Sequence, residues 1–79
     1  MSDSPILPRL LSLAARHADV PEGALRPEAD LFEALGIDSL QALDLLTRLE
    51  EAFGVEIPDY ELQEIRSFAE LAELIARRR

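Results

Sequence analysis

Seventy-nine residues with 16 acidic and 8 basic side chains carry a net charge of −8, and none of them is cysteine. That excludes disulfides and thiolate metal sites, and it disfavours nucleic acid and anionic membranes as partners. The length fits one small domain, 1–79, whose stability must come from packed helices.

Leu and Ala dominate the apolar residues and β-branched residues are few, which favours helix over sheet. The longest apolar runs fall well short of a bilayer span. Met1-Ser2-Asp3-Ser4-Pro5 has neither a basic nor an apolar signal region, so a cytoplasmic protein is expected. The acidity is concentrated. From Asp30 to Glu64 there are ten carboxylates and a single Arg, Arg48, giving that segment −9. A field so placed steers basic protein surfaces toward the middle of the chain.

The first helix is expected over Ile6–Arg16. Leu7, Leu10, Leu11 and Ala14 recur at helical spacing, and Pro8 is tolerated only in a first turn. Asp19 to Asp30 contains Pro21, Gly23 and Pro27 and reads as a long ordered loop pinned by Val20 and Leu25. Leu31–Leu35 forms a short helical turn ended by Gly36 in a left-handed cap. A second helix begins at Asp38-Ser39, where Asp38 and Gln41 make a capping-box pattern, and Gly54 stops it. Two apolar lines run along it, so the side near Leu40 and Leu43 is expected to stay partly exposed.

Val55–Pro58 is extended, because Pro58 biases Ile57 away from helix. Asp59–Ile65 is a short third helix with Asp59 as its cap and Leu62 and Ile65 facing inward. The last helix starts at Ser67, where Ser67 and Glu70 form a second capping box, and continues through Phe68, Leu71, Ala72 and Ile75. Arg77-Arg78-Arg79 complement its dipole, which accounts for them without a nucleic-acid role.

Few residues carry chemistry. His17, the only histidine, is read as a helix-end residue, and a His-based metal site would need carboxylate help. Three separated glycines make no phosphate loop, and Val55–Glu61 lacks the oxygen pattern of a calcium loop. Ser39 is the one candidate. Asp38 supplies the cap, which leaves the Ser39 hydroxyl in the first helical turn and free to face outward. A phosphodiester there meets the positive end of a helix dipole.

Gly36-Ile37-Asp38-Ser39-Leu40, then an acidic amphipathic helix, then Phe53-Gly54-Val55-Glu56-Ile57-Pro58-Asp59, resembles the acyl carrier protein family. Leu31-Phe32-Glu33-Ala34-Leu35-Gly36 resembles the family's approach to the serine, and the likeness runs from about Leu10 to Ile75. It implies an all-α fold, a four-helix bundle with a long first loop and a short third helix. It implies that Ser39 receives 4′-phosphopantetheine from coenzyme A through a holo-synthase (a phosphopantetheinyl transferase), with Asp38 assisting magnesium placement in that complex. Acyl groups are then held as thioesters on the arm, and the carrier itself is not an enzyme.

The resemblance further implies that Leu40, Leu43, Asp44, Thr47, Glu50 and Glu51 meet basic patches on ketosynthases, transferases or acyl ligases. Arg48 stands among them where such carriers often have a small or neutral residue. It either alters partner choice or pairs with Asp44. Ala42, Leu46, Leu49, Leu62 and Ile65 match the positions between which an acyl chain folds back in fatty-acid carriers. Thr47 replaces a position that is often apolar, Leu62 one that is often small, and there is no Lys. These departures point to a specialised carrier, acting as a monomer in fatty-acid, polyketide or other acyl biosynthesis. The Asp before the serine leans toward acyl over aminoacyl or peptidyl cargo. Two readings without the arm are also open. One is an acidic helical adaptor. The other is a small hydrolase using Ser39, which would need a base the sequence does not supply.

Overall fold

The computed structural model describes residues 6–78, and the expectations for Met1–Pro5 and Arg79 lie outside them. Five helices follow in order: α1 Ile6–Ala18, α2 Leu31–Leu35, α3 Ser39–Phe53, α4 Asp59–Leu62 and α5 Phe68–Arg78. The three long ones with α4 make the expected four-helix arrangement, and α2 is the helical turn foreseen before Gly36. The only ladder contact among the described residues is an isolated antiparallel bridge between Asp30 and Ser67. No helix among them is long and apolar enough to cross a membrane.

Local chemistry sets most boundaries. Asp30 Oδ1 accepts the Phe32 and Glu33 amides at 2.9 and 3.2 Å and so starts α2. Gly36 ends it at φ +67°, and Gly54 ends α3 at φ +69°. A Cβ at Gly36 would meet no neighbouring atom, so the need for glycine there lies in the backbone. Arg9 reinforces the second stop: its guanidinium donates to the Ala52 carbonyl at 3.2 Å and lies 5.0 Å from the centre of the Phe53 ring. Before α5, Ser67 Oγ accepts the Glu70 amide at 3.1 Å. Glu70 Oε1 accepts the Arg66 and Ser67 amides at 2.7 and 3.1 Å.

Other features depart from expectation, beginning with α1, which runs two residues past Arg16 to Ala18. The long loop contains a single 3-10 turn, Glu22–Ala24, which seats Leu25 in the core. Asp59 is not a cap: Pro58 holds that position without a side-chain acceptor, and Asp59 is the first residue of α4. The helix ends at Leu62, short of the expected Ile65, and looser three-residue turns through Gln63 and Glu64 bring Ile65 inward.

The core is wholly hydrophobic, with no buried polar or charged residue and no unpartnered buried polar side-chain atom among the described residues. Phe68, Leu10, Leu31, Leu49, Leu71 and Ile75 are the largest fully buried side chains. Leu45 and Leu74 are buried as well, although neither was anticipated, whereas Ala72 only packs against the core's edge. Two backbone bonds stitch the long loop to the start of α5: Leu31 N–H to the Arg66 carbonyl at 2.7 Å, and Ala69 N–H to the Pro27 carbonyl at 2.9 Å.

Candidate functional site

The site is built at the N-terminus of α3. Asp38 Oδ1 accepts the Gln41 amide at 2.9 Å, and Gln41 Oε1 accepts the Asp38 amide at 3.1 Å. This reciprocal box is the one expected, and it takes the capping role away from Ser39. Ser39 is therefore the first helical residue and is exposed. The amides of Ser39 and Leu40 meet no acceptor among the described residues. An exposed hydroxyl, two free amides and the positive end of a 15-residue helix coincide at one point.

Ser39 also stands at the edge of a cleft of about 240 Å³. Phe32, Leu43, Leu62 and Ile65 form its apolar lining, and Asp59, Gln63 and Arg66 join Ser39 as the polar one. Of the five residues matched to an acyl pocket, only Leu62 and Ile65 reach this cleft. Ala42, Leu46 and Leu49 lie deeper with Leu31, Leu45 and Leu71, where the side chains leave no room for a water molecule.

At 100° per residue, Leu40, Asp44, Thr47 and Glu51 share one stripe of α3, opposite the buried Ala42, Leu45, Leu46 and Leu49. Leu40 is 75% exposed, the most open large apolar side chain described. Leu43 is only partly open and leans toward the cleft. Thr47 turns its hydroxyl back to the Leu43 carbonyl at 3.1 Å. Glu50 lies off the stripe and accepts the Ile57 amide at 2.7 Å, which fixes the extended connection after α3. Arg48 does not pair with Asp44. The Asp44 carboxylate lies 3.4 Å from His17 Nε2, while Arg48 borders a hollow with Leu13, Arg16 and His17. Contact between α1 and α3 brings His17 within reach of Asp44.

Sequence reasoning passed over Arg66, which lies 3.4 Å from Asp30 Oδ2 and borders the cleft. No local pattern reveals it, since its partner is 36 residues away. The Asp30 cap did have a signal, a carboxylate three residues before Glu33. The Glu33 and Phe32 amides, with the Arg66 guanidinium, hold the Asp30 carboxyl below its usual value. The Arg66 and Ser67 amides do the same for Glu70. No group of three or more potential metal ligands occurs among the described residues.

Residues 8–75 match the phosphopantetheine attachment site family. The acyl carrier protein of Thermosynechococcus vestitus is 36% identical over 75 residues, covering 95% of this chain and 93% of that protein. The acyl carrier protein of Rubrobacter xylanophilus is 37% identical with the same coverage of both chains. That of Syntrophobacter fumaroxidans is 35% identical over 69 residues, 87% of this chain and 85% of its own. The match over residues 8–75 makes this chain a phosphopantetheine-dependent carrier by class. The chain belongs to the acyl carrier protein family. Members of that family are carriers, not enzymes, and they interact with synthases and acyl-processing enzymes.

Proposed function

We propose that Ser39 is the attachment point of 4′-phosphopantetheine and that the chain carries acyl groups on it, as a monomer, between partner enzymes. The observation that carries this reading is the division of labour at α3: Asp38 and Gln41 close the cap, and the Ser39 hydroxyl is left exposed. The site fits a phosphodiester. The Ser39 and Leu40 amides and the helix dipole favour its charge, and among the described residues the nearby Asp38 carboxylate takes the Gln41 amide and neither of those two. When bound, the group supplies a terminal thiol that holds acyl groups as thioesters. Asp38, held by Gln41, would help place a magnesium ion in a complex with the transferase.

The stripe of Leu40, Asp44, Thr47 and Glu51 is the docking face, with Arg48 at its border and Leu43 beside the cleft. An exposed leucine on one stripe with Asp44 and Glu51 suits brief contact with a basic surface, because long-range charge speeds encounter without requiring tight binding. Mutual repulsion across the −9 segment favours the monomer. Incubation with coenzyme A and a promiscuous phosphopantetheinyl transferase should add one phosphopantetheine to the intact mass. The gain should vanish in Ser39→Ala, and an unmodified wild-type chain would overturn the assignment.

A further inference from the structure

We infer that Arg16 and Arg48 form a seat for an acidic side chain on the surface of a partner protein, so that docking uses one contact of reversed charge. The inference rests on the α3 stripe of Leu40, Asp44, Thr47 and Glu51 being the docking face. Its basis is a hollow of about 270 Å³ where the end of α1 meets the middle of α3, lined by Leu13, Arg16, His17, Leu45 and Arg48. The hollow adjoins the stripe, since Arg48 follows Thr47 in the chain and His17 reaches Asp44.

The charge there runs against that of its surroundings. Arg48 is the only Arg between Asp30 and Glu64, among ten carboxylates. Even so, neither Arg48 nor Arg16 has a carboxylate partner among the described residues. Other arginines are engaged: Arg66 with Asp30, Arg78 with Glu61, and Arg9 with the Ala52 carbonyl. Asp44, one turn before Arg48, lies against His17 instead. The dipole of α1 accounts for Arg16 in its last turn. It does not account for Arg48, which stands in the interior of α3. Two exposed guanidiniums on one hollow repel each other, and an anion seated between them relieves that repulsion.

The rest of the lining selects the kind of anion. Leu13 and Leu45 are its apolar part, and Leu13 is only half-buried. A free inorganic anion gains nothing from leucine methyls. An aspartate or glutamate side chain covers them with its methylenes while its carboxylate accepts paired N–H donors from a guanidinium. The net charge of −8 repels nucleic acid and anionic membranes before they reach two arginines. An isolated acidic residue on an otherwise basic protein surface meets no such barrier. Its place opposite Arg48, with basic residues opposite Asp44 and Glu51, admits one orientation on the stripe and sets like charges against each other in the reverse one.

The test titrates the isotope-labelled full chain with the peptide acetyl-Leu-Glu-Glu-Leu-amide, with its neutral counterpart acetyl-Leu-Gln-Gln-Leu-amide, and with inorganic phosphate. The readouts are the NMR shifts of the Leu13 and Leu45 methyls and of the Arg48 Nε–H group. The acidic peptide should move all three, and Arg48→Gln and Arg16→Gln should each weaken its binding about two- to fivefold, the range of an exposed ion pair. Arg77→Gln, an exposed arginine away from the hollow, should not. Arg48→Gln should leave the melting temperature unchanged or slightly higher, and a clear fall would make Arg48 a structural residue and overturn its role. No response to the acidic peptide, or an equal one to the neutral peptide, overturns the inference. Phosphate that moves the same groups as strongly at equal concentration shows a simple anion site and overturns it as well. The docking face is read separately, as the KM of a phosphopantetheinyl transferase for Leu40→Ala and Glu51→Gln. An unchanged KM overturns that face and with it the proposed partner, whereas a raised KM with no peptide bound overturns this inference alone.

Discussion

Asp38 and Gln41 each accept the other's backbone amide, at 2.9 and 3.1 Å, and together they close the start of α3. Because the pair does the capping, the hydroxyl between them does none. Asp38→Ala should therefore lower stability by about 1 kcal/mol, which for a domain of this size lowers the melting temperature by roughly 4–8 °C. Asp38→Asn should retain most of the cap and recover most of the loss. Thermal melts of the two variants check this, with Ser39→Ala as a third that should change little.

Gly36 takes the left-handed conformation two residues before Asp38, with open space around it. Substitution by Ala should cost about 1–2 kcal/mol from backbone strain alone. Asn, which tolerates that conformation better, should cost less. Chemical denaturation would separate them, and the slope against denaturant should not change because no core contact is lost.

Phe68 is fully buried at the start of α5. Phe68→Ala should cost about 3–5 kcal/mol, against a total of roughly 4–12 kcal/mol expected for a chain of this length. The variant should be partly unfolded at 37 °C by circular dichroism, and loading at Ser39 should fall in proportion to its folded fraction.

Two capping carboxylates should dominate the acid side of the stability profile. Asp30 and Glu70 have folded values held below the ordinary range by the amides they accept. Their contribution is thus fully present above the ordinary carboxylate range of about 4. It is lost as pH falls through that range toward the lowered folded values. Glu70→Gln should flatten this decline, measured as melting temperature against pH between the acid limb and neutrality. Independently, the crowded carboxylates from Asp30 to Glu64 should make the wild-type melting temperature rise with salt at neutral pH.

What the sequence reveals here follows the range of the interactions. Both capping boxes and the Gly36 and Gly54 stops rest on nearby residues and are legible, whereas of the inward line of α3 the spacing shows Ala42, Leu46 and Leu49 but not Leu45. The short third helix is placed correctly but overextended, because its apolar spacing to Ile65 is met by three-residue turns after Leu62 and not by further α-helix. The His17–Asp44 and Arg66–Asp30 contacts join residues far apart in sequence, and no periodicity encodes them. Spacing places Ala42, Leu46 and Leu49 on one face, but only the assembled core shows that Leu62 packs with them while also lining the cleft beside Ser39.

The stitch between the long loop and the start of α5 has a consequence for the presenting helix. Leu31 bonds to Arg66 and Asp30 bridges Ser67, so the chain between them is a closed circuit that contains all of α3 and α4. Neither helix has a free end in the mechanical sense. The direction in which α3 presents Ser39 is therefore tied to the start of α5 by contacts remote from the serine itself.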